Sequence, residues 1–423
     1  MIYFQGGSTN SQLNSETLRK SLFTALDKLG PRSKVLVIPP DFTRFHSYAG
    51  LLTEMVYEYY GNAVTDILPA LGTHTAMTGT EITTMFGSVP HSLFRVHDWR
   101  NDIVTLGEVP EEFVRTVSEN KVGFSWPAQV NKLLTDPAFD LILSIGQVVP
   151  HEVIGMANYN KNIFVGTGGR DGINKSHFLG AAYGMERIMG KADNPVRQVL
   201  NYASVHFAAH LPIVYIHTVV SKSTDGNLGV NGLFIGDDQE CFTGASALSM
   251  QVNFERVEET LKKVVVYLDP EEFKSTWLGN KSIYRTRMAI ADGGELIILG
   301  PGIQTFGEDK EIDRLIRKYG YRSTPEILKM VWENEDLANN LSAAAHLIHG
   351  SSENRFKITY CPGHLTREEI EGVNFHYADL ASMLKKYNPA LLHDGFNQVG
   401  DEKVFFISNP ALGLWAHESR LVP

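Results

Sequence analysis

At 423 residues the chain is too long for one ordinary core, so two α/β domains are the first expectation, and two domains imply a cleft. With 43% hydrophobic and 20% charged residues the composition is that of a soluble globular protein, and no apolar run approaches the roughly 20 residues a membrane helix needs. A formal net charge of -10 and the lack of any basic tract interleaved with aromatics argue against a nucleic-acid partner.

Two cysteines, Cys241 and Cys361, lie far apart without C-x-x-C spacing, which argues against a disulfide framework and a thiolate zinc site. A reducing, cytoplasmic compartment is expected. At the start, Tyr3-Phe4-Gln5-Gly6-Gly7-Ser8 looks like the remnant of a viral-protease tag site rather than a signal peptide, so residues 1–8 are set aside.

Helical periodicity over Glu16–Leu29 stops at Gly30-Pro31, and Lys34–Pro39 is an apolar run typical of a buried parallel strand. Further strands are expected at 66–71, 94–97, 139–145, 213–220 and 264–268, with helices at 47–60, 81–86, 113–134 and 245–262. A second block begins near Pro270 with a helical stretch through Ala291. It continues into the apolar run of residues 294–302, the charged helix Lys310–Tyr319 and strands near 356–360 and 404–408. The fold class expected is therefore α/β, with two domains of mostly parallel sheet, 9–268 and 269–423, and an interdomain active-site cleft.

In open α/β sheets ligands sit outside the carboxyl ends of strands, and four such turns here are polar. They are Asp41-Phe-Thr43-Arg44, Gly72-Thr73-His74-Thr75, His97-Asp98-Trp99 and Gly146 through His151. Asp41, Thr43 and Arg44 offer a carboxylate, a hydroxyl and a guanidinium near a helix start, a set suited to a ribose phosphate or a carboxylate. Thr78 and Glu81, three apart, read as a capping box.

The glycines of Gly166-Thr-Gly168-Gly169-Arg-Asp-Gly172 follow an apolar run but miss the G-x-G-x-x-G spacing of a dinucleotide site. His151-Glu152 likewise misses the zinc pattern H-E-x-x-H, because Gly155 stands where the second histidine belongs. What remains is His97, His151, Lys161 and His177, which together offer proton transfer near neutral pH, a metal ligand and a nucleophilic amine.

Pro150-His151, Lys161 ten residues on and His177 sixteen further resemble the nickel-dependent lactate racemase family in order and spacing. Asp41-x-Thr43-Arg44, Gly72-Thr73-His74 and His97-Asp98 match that family's other N-terminal motifs, so the resemblance covers roughly residues 35–180. It implies an isomerase that inverts the α-carbon of a 2-hydroxy acid with a nickel-pincer nucleotide. That cofactor is a pyridinium-3-thioamide-5-thiocarboxylic acid mononucleotide carrying nickel.

The resemblance further implies that Lys161 forms the covalent link, that His177 ligates nickel, and that His97 and His151 are the acid/base pair. Asp41, Thr43, Arg44, Thr73, Gly168 and Gly169 would hold the ribose and phosphate. A histidine would take the hydroxyl proton while hydride leaves for the cofactor, giving a planar 2-keto acid that can be re-reduced on its other face.

Two positions depart from the family's pattern. Its Gly-Thr-His-Arg ends here in Thr75, so another cation, from Arg95, Arg100, Arg170 or Lys310, is expected to hold the carboxylate. Its Gly-Gly-x-Lys reads Asn158-Tyr159-Asn160-Lys161, and those added hydrogen-bonding groups suggest a hydroxyl-rich acid such as an aldonate rather than lactate. Two alternatives stay open: an NAD-dependent dehydrogenase using the 166–172 glycines, and a non-catalytic nucleotide or small-acid binding protein. Oligomeric state cannot be read from the chain.

Overall fold

The computed structural model describes residues 1–222 and 227–421. The first compact unit is Met1–Leu179 with Ile188–Asn253, and the second is Gly180–Arg187 with Phe254–Pro423.

The first unit is built on a six-stranded sheet: β1 (Ile2–Gly7), β2 (Val35–Ile38), β3 (Val64–Ile67), β4 (Leu141–Gln147), β5 (Ile213–Lys222) and β6 (Leu228–Gly236). Their order is β1-β6-β5-β4-β2-β3. Strands β3, β2, β4 and β5 are parallel, whereas β5/β6 and β6/β1 pair antiparallel. All four β2 residues are buried, as expected for a strand covered on both faces.

Helix α1 (Ser15–Leu29) shows why these segments fold locally. Asn14 caps it by accepting from Thr17 N, Leu18, Leu22, Ala25 and Leu26 fall on one face with no exposure, and Gly30 ends it at φ 76°. Helix α2 (Ala49–Tyr60) follows a 3-10 turn, and α3 (Gly79–Phe86) begins at the capping box of Thr78 and Glu81. Helices α4 (Arg170–Tyr183), α5 (Pro195–Phe207) and α6 (Gln239–Val252) complete the elements used below. Because β2 pairs with β3 on one side and β4 on the other, the chain reverses its direction of travel across the sheet at β2 and β4. Their carboxyl ends form the crevice where ligands bind in such sheets.

The second unit carries β7 (Leu261–Tyr267), β8 (Ile290–Gly300), β9 (Lys357–Pro362), β10 (His376–Tyr377), β11 (Gly395–Val399) and β12 (Glu402–Ile407). They form a sheet ordered β10-β9-β8-β7-β12-β11, parallel except for β11. Its core centres on Val265, Ile297, Leu299 and Phe406.

Several expectations are corrected. Residues 1–8 are not outside the fold, because Ile2–Gly7 pairs with β6. The border expected at residue 268 falls at Asn253 and Phe254, since β7 hydrogen-bonds between β8 and β12 of the second sheet. The helix expected over 113–134 stops at Val117; Trp126–Asn131 is instead a hairpin strand containing Pro127, which a helix interior does not tolerate. Residues 94–97 make only an isolated bridge, Ile67 to Phe94. The helix expected over 245–262 ends at Val252, and that over 270–291 is two short pieces, Thr276–Gly279 and Lys281–Thr286. Strand β6 carries no period-2 signal because Gly229, Asn231 and Gly232 interrupt its apolar residues.

Leu143 lies in the middle of β4 with no exposure, so Leu143→Ala is expected to cost about 2–5 kcal/mol. Val205→Ala, at a residue 67% exposed on α5, is expected to stay within about 0.5 kcal/mol, and urea unfolding of both variants checks the contrast.

Candidate active site

Asn162 fixes the centre of the site. Its side-chain amide donates to Ile38 O (3.3 Å), Ser144 Oγ (3.2 Å) and Ile145 O (3.3 Å), spanning the carboxyl ends of β2 and β4. Lys161 immediately precedes it and caps a single π turn, Asn162–Gly166, a rare geometry that recurs at functional sites.

Burial depresses the proton affinity of the Lys161 amine to about 8, with the positive charges of Arg44 and Arg197 adding to the effect and Glu152 and Asp41 opposing it. A larger neutral fraction at neutral pH makes this a nucleophilic amine.

His151 follows β4, its side chain 14% exposed. Burial holds its imidazole well below the usual range, and Lys161, Arg44 and His177 push the same way against Glu152. Its Nδ1 accepts from Val153 N at 3.1 Å, while a Glu152 carboxylate oxygen stands 4.0 Å away. With Nδ1 accepting, the neutral ring carries its proton on Nε2. The tautomer able to accept a proton at Nε2 exchanges the Val153 bond for an Nδ1–H facing Glu152, at a cost of about 1 kcal/mol for the lost bond.

His177, on α4, donates from Nδ1 to Ile173 O at 2.7 Å, which leaves Nε2 as its lone pair. Burial, reinforced by Lys161, lowers its proton affinity. An imidazole whose second nitrogen is tied to a carbonyl is the usual form of a metal-ligating histidine. Among the described residues no group of three His, Cys, Asp or Glu side chains could hold a metal ion, so further donors would have to come from a bound group.

Asp41 caps the turn after β2 through Thr43 N (3.1 Å) and the Thr43 hydroxyl, and its other oxygen meets His74 Nδ1 at 2.5 Å. Burial raises its carboxyl, but the His74 and Thr43 hydrogen bonds outweigh this and hold it below the usual range. Thr43, Arg44 and Thr73 are exposed around it.

Other candidates are placed differently. His97 is 3% exposed, with Nε2 donating to Gly168 O (3.0 Å) and Nδ1 accepting from Asn131 Nδ2 (3.1 Å). Both ring nitrogens are engaged, and burial keeps the ring neutral by lowering its proton affinity. Gly168 and Gly169 are buried, and a Cβ would sit 1.9 Å from Phe164 O at the first and 2.4 Å from Gln129 Oε1 at the second. Packing within the chain already explains both glycines.

Asn158, Tyr159 and Asn160 are at most 6% exposed. Asn158 Nδ2 donates to Gly146 O and His217 Nδ1, and Asn160 Nδ2 to Asn201 Oδ1 and Ser204 Oγ. These amides are spent inside the protein, which removes the sequence argument for a hydroxyl-rich substrate. Of the cations weighed against the threonine at 75, Arg95 is held by Asp66 (2.7 Å) and Arg100 lies over Trp99, while Arg170 is exposed. Lys310 opens a helix of the second unit.

Sequence reading missed Glu152, Asn162 and Arg197. Glu152 was weighed only within a zinc pattern, and the other two carry no motif.

Residues 15–187 match the family model for the lactate racemase N-terminal domain, which spans all the residues placed at the ends of β2 and β4. That part of the chain is therefore similar to the lactate racemase N-terminal domain. Among solved structures, a Thermotoga maritima protein aligns at TM-score 0.76 and 23% identity over 96% of this chain and 98% of its own. The lactate racemase apoprotein of Thermoanaerobacterium thermosaccharolyticum aligns at TM-score 0.67 and 19% identity over 96% of this chain and 93% of its own. At these identities the two matches establish the mixed α/β fold alone. No curated protein matches the chain.

His151 and His177 are both expected to be neutral at pH 7. The unfolded chain takes up these protons near pH 6.5 and the folded chain only lower, so stability is expected to fall as pH drops below about 6.5. Imidazole resonances that titrate at or above 6.5 in the folded protein would contradict this.

Proposed function

We propose that the protein is a racemase or epimerase of 2-hydroxy acids that works with a lysine-tethered nickel-pincer nucleotide. The observation that carries the reading is the Lys161 amine of lowered proton affinity, pinned by Asn162 at the strand crevice and close enough to His151 and His177 to shift both. The donor set fits the group: an amine for the covalent link, one imidazole with a free Nε2, and no complete protein ligand set among the described residues that would bind a metal alone. When bound, the nucleotide supplies a hydride acceptor, which the side chains of a protein lack.

Asp41, Thr43, Arg44 and Thr73 bound the turns beside Lys161 and would hold the ribose and phosphate. Gly168 and Gly169 serve by letting the turn close beneath them. His151 takes the substrate hydroxyl proton at Nε2, with Glu152 stabilising the imidazolium, and returns it when the keto oxygen is re-reduced. His97 acts in its observed state by bracing Gly168, and serves as a second base only after releasing that bond. Enclosure also excludes water from the keto acid.

Co-expression with cofactor-building enzymes is expected to give a nickel-bearing mass adduct that Lys161→Ala abolishes. An unmodified, nickel-free wild type from a competent host would sink the proposal. His151→Asn is expected to keep the adduct and lower the interconversion of isomers about 10²–10⁴-fold. Chiral chromatography with lactate and with an aldonate checks this and reports the substrate.

A further inference from the structure

Arg197 is a fully buried guanidinium without a carboxylate partner among the described residues. It is the third residue of α5, whose cap Asn194 also donates to Ile154 O at 2.9 Å. Its donors converge on one short segment: Nη2 on Met156 O (2.7 Å), both terminal nitrogens on Asn158 O (3.4 Å), and Nη1 on the Asn160 side-chain oxygen. Phe242 covers its face at 4.4 Å. A buried arginine is costly, and here its fork is matched to oxygens of three of the five residues leading to Lys161.

That segment needs holding. Asn158 and Tyr159 have φ values of 64° and 59°, two consecutive left-handed residues, the second a buried aromatic ring for which this region is unfavourable. Left to its local preference the turn would relax to extended backbone and carry Lys161 off the strand ends.

We propose that Arg197 is a positioning residue for the Lys161 amine, its guanidinium clamping residues 156–160 in the strained left-handed turn that delivers Lys161 to the ends of β2 and β4. The importance of that amine rests on the functional reading above, but the clamp can be tested without cofactor or substrate, so failure of either idea is distinguishable.

The measurements are hydrogen exchange of residues 156–162 and the rate of acetic anhydride labelling at Lys161 relative to exposed Lys329, on unloaded protein. Arg197→Met is expected to raise exchange in this segment while β4 and β5 stay protected, and to lower the labelling ratio about ten-fold. Arg197→Lys keeps a charge but not the fork, so exchange should still rise and labelling should recover only in part. Asn160→Ala keeps the arginine and removes one acceptor; it is expected to fold and to raise exchange locally, and it decides the matter if Arg197→Met does not fold. Unchanged exchange and labelling in a folded Arg197→Met, unchanged exchange in Asn160→Ala, or full recovery of both readouts by Arg197→Lys would each overturn the clamp.

Discussion

One carboxamide ties sheet to site. The Asn162 side chain reaches Ile38 O on β2 and Ser144 Oγ and Ile145 O on β4, two strands that lie side by side but lead the chain to opposite edges of the sheet. A parallel sheet opens its loops apart at this place, so the crevice exists whatever the sequence. Filling it with a lysine is a separate matter. The residue after Lys161 must be bonded to both strand ends, and the backbone must wind into a π turn that starts at that point. The turn in turn demands glycine at 168, where any Cβ would strike Phe164 O, and Gly168 O gives His97 its bond.

The electrostatics follow from that enclosure. The chain as a whole carries a net charge of -10, yet the charges that act most on Lys161 are Arg44 and Arg197 on one side and Glu152 and Asp41 on the other. Burial favours the neutral form of a basic group whatever its type, so the desolvation that lowers the proton affinity of the Lys161 amine acts in the same direction on His151 and His177. One physical cause thus acts on three basic groups, and none needs unusual intrinsic chemistry. Glu152, 4.0 Å from His151 Nδ1, opposes the effect there.

The sequence made the parallel strands readable where apolar runs were unbroken, as at β2 and β4, and helices where caps bracketed a periodic face, as at α1 and α3. It misled where tertiary contacts overrode local pattern: Trp126–Asn131 pairs with Ile103–Val109 in a hairpin, and β6 forms across its own glycines because β5 and β1 both offer partners. Of the residues that spacing singled out, Asp41 and His151 follow strand ends, Lys161 opens the π turn and His177 lies on α4. Spacing says nothing about which way a side chain faces. Asn158 and Asn160 look like substrate-binding amides in one dimension and are internal fasteners in three, and His97 carries a motif yet has both nitrogens engaged.

These misread positions share a cause. A buried lysine on a strained turn needs many polar groups to hold it, because the buried donors and acceptors of that turn call for partners. Asn131, Asn158, Asn160, Asn162 and Arg197 meet most of that demand with hydrogen bonds to backbone oxygens, ring nitrogens, other side chains or one another, while Asn158 Oδ1 and Arg197 Nε are left without a partner among the described residues. Polar residues near an active-site motif are therefore divided between chemistry and support, and the supporting class grows as the backbone departs from regular structure. Two left-handed residues and a π turn within nine positions put this segment at that extreme, so identity there is governed by what the turn needs before what the substrate needs.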